Sequence, residues 1–461
     1  MKPSSRLRLS PALLLPLLLL PAAAAERKPN FLVILADDLG WADLGHDGSR
    51  IATPHLDRLA AQGVKLTHYR SSAPMCSPTR AALLTGRYPH SVGVPELASP
   101  SARGNVPVLA LAPAAITLPE ALRPAGYRSA LVGKWHLGYA REHWPRTHGF
   151  DEFWGSLIGT PRYWEVKETY ENETPIDVSG KGYYTDQLAS RAVEVIRHAA
   201  TDRRPFFLYL AFNAPHYPLE APFELVTKYR GIFPERGLFA LYAAMVEQLD
   251  AGIGRVLAAL DELQLAQDTL VLFTSDNGPS AELSHYGPEG ADFSNGPLRG
   301  YKFGLTEGGL RVPFLARWPG KLPAGSVQSG SAVTMDILPT LLEAAGVEPA
   351  PGHEIHGQSL LPLLRGEPFT RNAPLHWENQ QNHAVFDGEW KLVKRAWESR
   401  ARLYRPVTDV GEEQDLAARH PEKVAELTAL HEAWRRRHYP NPVPPVPART
   451  VRNFPITAQD P

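Results

Sequence analysis

Cysteine is almost absent from this chain: its 461 residues include one, Cys76. A single thiol cannot form a disulfide within the chain, and a body of this size buries enough surface to fold without such staples. An excess of charge of either sign is missing as well. The 48 basic and 49 acidic residues leave a formal net charge of -1, which provides no global field to hold nucleic acid or an anionic membrane. No apolar run of spanning length follows the first 25 residues. What remains, 43% hydrophobic and 21% charged residues, is the make-up of a globular protein with a sizeable core, in which any charged site has to be local.

The stretch MKPSSRLRLSPALLLPLLLLPAAAA has a basic start, a leucine run and a small-residue end. That is the layout of a secretory signal cleaved near Ala25. The run is shorter than the roughly 20 residues a spanning helix needs, and Pro16 and Pro21 interrupt it. The expectation is an exported protein, secreted or periplasmic, starting around Glu26 and without stable membrane insertion. Asn172-Glu173-Thr174 is a glycosylation sequon that matters only in a eukaryotic secretory pathway, whereas scarce cysteine leans towards a bacterial periplasm.

Short β-rich runs alternate with helical patterns, the mark of a mostly parallel sheet flanked by helices. FLVILADDLG, SALVGKWHLG, PFFLYLAFNAPHYP and TLVLFTSDNG have unbroken apolar cores, as strands buried on both faces require. Each ends in polar or ionisable residues: Asp37 and Asp38, Lys134 and His136, His216, Asp276 and Asn277. Ligands of open α/β sheets bind beyond the carboxyl ends of the strands, so these groups can converge. Apolar residues at three- and four-residue steps predict helices over TPHLDRLAAQG, TDQLASRAVEVIRHAA, LYAAMVEQLDAGIGRVLAALDELQ and TMDILPTLLEAAG. Near residue 370 the texture changes. HAVFDGEWKLVKRA reads as a hairpin turning at Asp387-Gly388 and EKVAELTALHEAWRRR as a closing helix, followed by a proline-rich, extended tail. The expected organisation is a signal over 1–25, a catalytic α/β domain over 26–370 and a small α+β subdomain with its tail over 371–461.

Two acidic strand ends in one sheet favour a hard divalent cation, calcium or magnesium, because adjacent buried carboxylates repel and a cation resolves the repulsion. Ser77-Pro78 supplies a cap and an early proline, so a helix is expected to begin directly after Cys76 with its positive end at the thiol. Arg80 lies about one turn further on the same face, within hydrogen-bonding reach of a group on residue 76. An ordinary thiolate nucleophile would use the same geometry, but the acids and the cation they imply point to transfer of an oxyanion group.

The segment Cys76-Ser77-Pro78-Thr79-Arg80, continued by AALLTGRYP, resembles the signature of the type I sulfatases, in which the cysteine is oxidised by a separate enzyme to formylglycine. ILADDLGW, LVGKWHLG, NAPHYPLEAP, FTSDNGP and GYKFGLTEGGLRVPF match in family order over most of the chain, and DGEWKLVK resembles the family's carboxy-terminal subdomain. The resemblance implies an alkaline-phosphatase-like α/β fold and a sulfuric ester hydrolase. It implies that Asp37, Asp38, Asp276 and Asn277 hold the cation, usually calcium, with modified residue 76 as a further ligand. It also implies that Arg80, Lys134, His136, His216 and Lys302 surround that side chain and the sulfate, His216 near the leaving oxygen and His136 near the spare hydroxyl of residue 76. The family's remaining polar sulfate contact has no clear match between Gly155 and Tyr163.

Hydrated formylglycine is a geminal diol: one hydroxyl attacks sulfur, and deprotonating the other ejects sulfate and restores the aldehyde. An unmodified thiol lacks that route. The partners implied are a sulfated small molecule or glycan and the maturing enzyme. A phosphodiesterase or phosphonate hydrolase of the same superfamily is the near rival, and a silent sulfated-glycan binder with an unmodified thiol the distant one. Trp41, Trp135, Trp154, Tyr163 and Trp164 are available for a sugar-stacking rim, although so many aromatics more often anchor a core or loops.

Overall fold

The computed structural model describes residues 27–102, 107–202, 204–234, 237–280 and 294–442. The expected signal and almost all of the proline-rich tail lie outside them. Strands appear in the order β1 (Asn30–Ala36), β2 (Val64–Leu66), β3 (Tyr69–Arg70), β4 (Arg128–Lys134), β5 (Glu152–Ser156), β6 (Thr169–Glu171), β7 (Thr174–Ile176) and β8 (Phe206–Ala211). Then come β9 (Thr269–Ser275), β10 (Phe314–Arg317), β11 (Ser326–Gln328), β12 (Ala332–Val333), β13 (Leu375–Asn379), β14 (Asn382–Asp387), β15 (Trp390–Lys394) and β16 (Arg402–Tyr404).

Ten of these form one sheet in the order β11-β2-β10-β9-β1-β8-β4-β5-β6-β7. Its centre, β9-β1-β8-β4-β5, is parallel throughout, and antiparallel strands occur only towards the two edges. The four predicted core strands, β9, β1, β8 and β4, are adjacent members of this parallel set and the middle four of the whole sheet. Every residue of β1, β8 and β9 is buried, which explains why their sequences run apolar without alternation.

Alternate residues of β1 feed opposite layers. Phe31, Val33 and Leu35 join a core with Leu83 and Leu84 of the helix Cys76–Thr85 and Leu338 and Leu341 of the helix Ile337–Ala345. Leu32, Ile34 and Ala36 join a second core with the long helices Tyr184–Asp202 and Gly237–Glu262. A separate antiparallel sheet, β13-β14-β15-β16, and the helix Pro421–His438 make the carboxy-terminal α+β unit. Its β14–β15 pair closes with Asp387 opposite Trp390, around the predicted Asp387-Gly388 turn.

Candidate active site

The register of the parallel strands builds the site. Ala36 pairs with Ser275, so the next residues, Asp37 and Asp276, leave neighbouring strands side by side, about 4.8 Å apart in backbone spacing. Gly133 pairs with Ala211, which brings Lys134 to the same rim. Beyond β9 the chain turns at Gly278, where an added Cβ would meet Gly308 O at 1.9 Å. Only glycine permits that approach, which lays the loop carrying Lys302 against the Asp276-Asn277 strand end.

The fourth contributor is the helix Cys76–Thr85, all ten residues of which are buried. The expected start is corrected in detail: the helix already includes Cys76, its N-cap is Met75 without a side-chain cap bond, and the Ser77 hydroxyl instead accepts from the Ala98 N–H at 3.1 Å. Thr79 ties the entry down, donating to Ala73 O at 2.9 Å and accepting from Ala73 N at 3.2 Å. The helix closes at Gly86, in the left-handed region at φ 65°.

All the nominated residues come together. The Cys76 thiol donates to Asp37 Oδ1 at 3.6 Å. Lys134 Nζ lies 2.5 Å from Asp37 Oδ2, and Lys302 Nζ lies 2.7 Å from Asp38 Oδ1. His216 Nε2 is 3.6 Å from Asp38 Oδ2. Asn277 Nδ2 donates to Asp38 Oδ1 at 2.6 Å, and the Asp38 N–H donates to Asp276 Oδ1 at 3.2 Å. Arg80 engages Asp276 Oδ2 through Nε at 3.1 Å and Nη2 at 2.8 Å, and Lys134 O through Nη1 at 3.0 Å. It therefore locks two strand ends together, where the sequence suggested a bond to residue 76. The His136 ring packs on Gly159, where an added Cβ would lie 2.5 Å from the imidazole.

Burial raises the Cys76 thiol, but Lys134 and Lys302 overcome it and hold the thiol well below its ordinary range. Burial, then Lys134 and Arg80, hold His136 well below the usual imidazole value. For His216, burial and Lys302 act downwards, yet Asp38 and Asp37 prevail and the ring sits above its ordinary value. Burial, then the charge of Asp37, push Asp276 up to about 6. Crowded buried carboxylates of this kind fit a cation. One ligand atom each from Asp37, Asp38, Cys76 and His216 lie within 4.8 Å of one another. Asn277 Oδ1 is buried with no hydrogen-bond partner among the described residues, as suits an oxygen reserved for a hard ion.

Sequence reasoning passed over a supporting layer. The Leu39 N–H donates to Ser275 Oγ at 3.0 Å, and Ser275 Oγ donates to Asn277 O at 3.0 Å. Tyr242 Oη, from the helix Gly237–Glu262, donates to Asp38 O at 3.3 Å and contacts Asp43. These residues lie inside apolar runs with no local signal of their role. The aromatic candidates also resolve. Trp135 and Tyr163 are buried, Trp154 is half-buried against Tyr184, Trp41 faces the Arg311 guanidinium, and Trp164 is exposed beside Tyr183.

The chain matches the family model described as Sulfatase over residues 29–347, and that of the N-sulphoglucosamine sulphohydrolase carboxy-terminal region over residues 302–417. It is 36% identical over 411 residues to N-acetylgalactosamine-6-sulfatase of Canis lupus familiaris, covering 85% of this chain and 76% of that protein. Steryl-sulfatase of Mus musculus is 36% identical over 436 residues, covering 75% of this chain and 66% of that protein. The crystal structure of Ps i-CgsB superposes with a TM-score of 0.81 at 31% identity, covering 91% of this chain and 94% of that one.

Proposed function

Because the chain belongs to the sulfatase family, with the fold and the sulfuric ester hydrolase activity of that family, we propose that it acts on a sulfated carbohydrate from a formylglycine made at Cys76. The observation that carries this reading is the position of Cys76: first residue of a buried helix, 3.6 Å from Asp37 and under the field of Lys134 and Lys302. A relative's printed name, N-acetylgalactosamine-6-sulfatase, and the complex of Ps i-CgsB with k-i-k-neocarrahexaose favour a sugar.

Formylglycine at position 76 supplies a hydrated aldehyde whose hydroxyl is the nucleophile towards sulfur. Asp37, Asp38, Asp276 and Asn277 together with residue 76 would hold a divalent cation, calcium by preference, which when bound would supply positive charge for the nucleophile and the sulfate. Lys134 and Lys302 neutralise the sulfate oxygens, including the charge that grows on the leaving oxygen. Arg80 keeps Asp276 and the Lys134 carbonyl in register, so the cage is rigid before substrate arrives. His216 Nε2 delivers a proton to the leaving oxygen, and His136 Nδ1, buried without a partner among the described residues, receives one from residue 76. A maturing enzyme would make the formylglycine. The leader implies export to a periplasmic or extracellular space, and no described helix is long and apolar enough to cross a membrane. We place the catalytic unit before residue 370 and the carboxy-terminal unit after it.

The test pairs two measurements on protein from its native host. Peptide mass spectrometry across residue 76 should find formylglycine, whereas a retained thiol would favour a silent binder. Matched sulfate and phosphate esters should show faster sulfate turnover; phosphodiester hydrolysis faster by orders of magnitude would transfer the protein to the phosphodiesterase or phosphonate hydrolase reading.

A further inference from the structure

Nine non-glycine residues among those described have positive φ, and Phe303, at 70°, is the one with an apolar side chain. A bulky side chain in the left-handed region is strained, and such strain persists only where the surroundings impose it. They do here. The Phe303 N–H donates to Pro74 O at 2.8 Å, Phe303 O accepts from Asn379 Nδ2 at 2.9 Å, and the preceding Lys302 N–H donates to Pro279 O at 2.9 Å. Packing does not explain the residue, because it is 48% exposed. Lys302 Nζ lies 5.7 Å from the ring centroid, near the outer limit of a cation–π contact.

The same distance places the ring beside the Lys302 ammonium. A sulfate held by Lys302 Nζ sits beside it, and the carbon skeleton bonded to the ester oxygen extends over the next few ångströms, the span from the ammonium to the ring. An aromatic face offers a flat apolar surface of the kind on which the C–H face of a sugar can lie. We infer that Phe303 is a specificity-determining residue of this enzyme, its ring the platform against which the sugar carrying the sulfate ester stacks. The inference rests on the proposed sulfated-carbohydrate activity and adds to it the residue that reads the sugar rather than the sulfate.

The experiment uses full-length, matured protein and the variants Phe303→Gly and Phe303→Ala. The sugar probe is the pyranose monosulfate that the wild type turns over best from a defined panel. The ring-free probe is inorganic sulfate as a competitive inhibitor. Phe303→Gly should raise KM for the sugar sulfate by about tenfold or more, leave kcat within about threefold, and leave the Ki of inorganic sulfate within about twofold. Its Tm should equal or exceed that of the wild type, because glycine adopts φ 70° without strain; Phe303→Ala should show the same kinetics without the gain in Tm. If KM and Ki rise together, Phe303 acts through Lys302 and the inference is overturned; if neither moves, it is overturned as well. A wild type that hydrolyses aryl sulfates but no pyranose monosulfate sinks this inference together with the carbohydrate half of the proposed function, and leaves the sulfatase activity standing. One that hydrolyses no sulfate ester sinks the proposed function and this inference with it.

Discussion

Two buried charge clusters lie within a few residues of each other on one loop, and they do opposite things. Lys302 belongs to the cage around Cys76. Glu307, five residues later, belongs to the seam between the small β12-β3 sheet and the carboxy-terminal unit. In the seam, Arg70 reaches Glu307 through Nε at 3.0 Å and Nη2 at 2.8 Å, Lys391 Nζ lies 2.8 Å from Glu307 Oε1 and 3.0 Å from Glu412 Oε1, and the Glu307 N–H donates to Glu412 Oε2 at 2.7 Å. These side chains are as thoroughly buried as Asp37, Arg80 and Lys134. Burial and charge therefore do not separate a structural cluster from a reactive one. What separates them is what they enclose. The four seam charges are arranged around one another, whereas the cage surrounds the Cys76 thiol, with Asn277 Oδ1 lacking a partner among the described residues beside it.

The largest effect that would test this contrast is loss of chemistry without loss of fold. Cys76→Ala should lower kcat on a chromogenic aryl sulfate by at least about 10⁴-fold, roughly 5.4 kcal/mol in the barrier, while the urea midpoint moves by no more than about 1 kcal/mol in stability. A comparable loss of stability would mean that residue 76 is a packing residue. Glu307→Gln should do the converse. It strands Arg70 as a buried cation and leaves Lys391 with Glu412 alone, and breaking a buried pair in this way costs about 3–5 kcal/mol, readable as a shifted denaturation midpoint. An unchanged midpoint would show that the seam network contributes nothing net.

Cation binding sharpens the same contrast. Calcium at about 100 times its Kd should stabilise the protein by about 2.7 kcal/mol, and a chelator should reverse both that gain and the activity. Asp38→Asn should abolish the response, because it removes a ligand charge from the cage. Glu307→Gln should retain it at a lower baseline. A calcium response surviving Asp38→Asn would place the ion elsewhere.

The cage was legible because its parts are local: each strand ends in its own polar residues, and parallel pairing at matched registers does the rest. The lone cysteine before a small-residue helix was legible for the same reason. The seam was not. Arg70, Glu307, Lys391 and Glu412 come from four distant segments, and nothing in the local pattern of GYKFGLTEGGLRVPF says that Lys302 faces the site while Glu307 faces away. The aromatic candidates divide for a related reason. Trp135, between Lys134 and His136 in sequence, is buried and packs against His148 and Phe150, as the core-anchor reading has it, while Trp164 is exposed. Phe303, undistinguished in the sequence, stands out only once its φ and exposure are known.

The seam's other end supplies the smallest and most selective test. Six histidines, His90, His356, His376, His383, His431 and His438, gather around Trp434 and Tyr88, and Glu378, Glu354, Arg435, Arg437, Arg87 and Lys394 are charged groups acting on them. Burial is the main cause holding His90, His356 and His383 down to about 4 and His376 to about 3, from the ordinary 6.5. The unfolded chain therefore takes up protons before the folded one does, and the stability these rings contribute is complete above pH 6.5 and lost as the pH falls from there towards 4. Asp276 of the cage, pushed up to about 6 by burial, also titrates on the acid side, so the seam has to be isolated by difference. His376→Phe keeps an aromatic ring beside Trp434, whose centroid lies 5.3 Å away with the planes 15° apart, and it removes a nitrogen, Nδ1, that has no partner among the described residues. Its stability at pH 8 should match the wild type within about 1 kcal/mol, and its Tm should fall less steeply between pH 6.5 and 4. Parallel Tm curves for the two proteins would mean that acid acts on the cage alone and that the histidine end of the seam is inert packing.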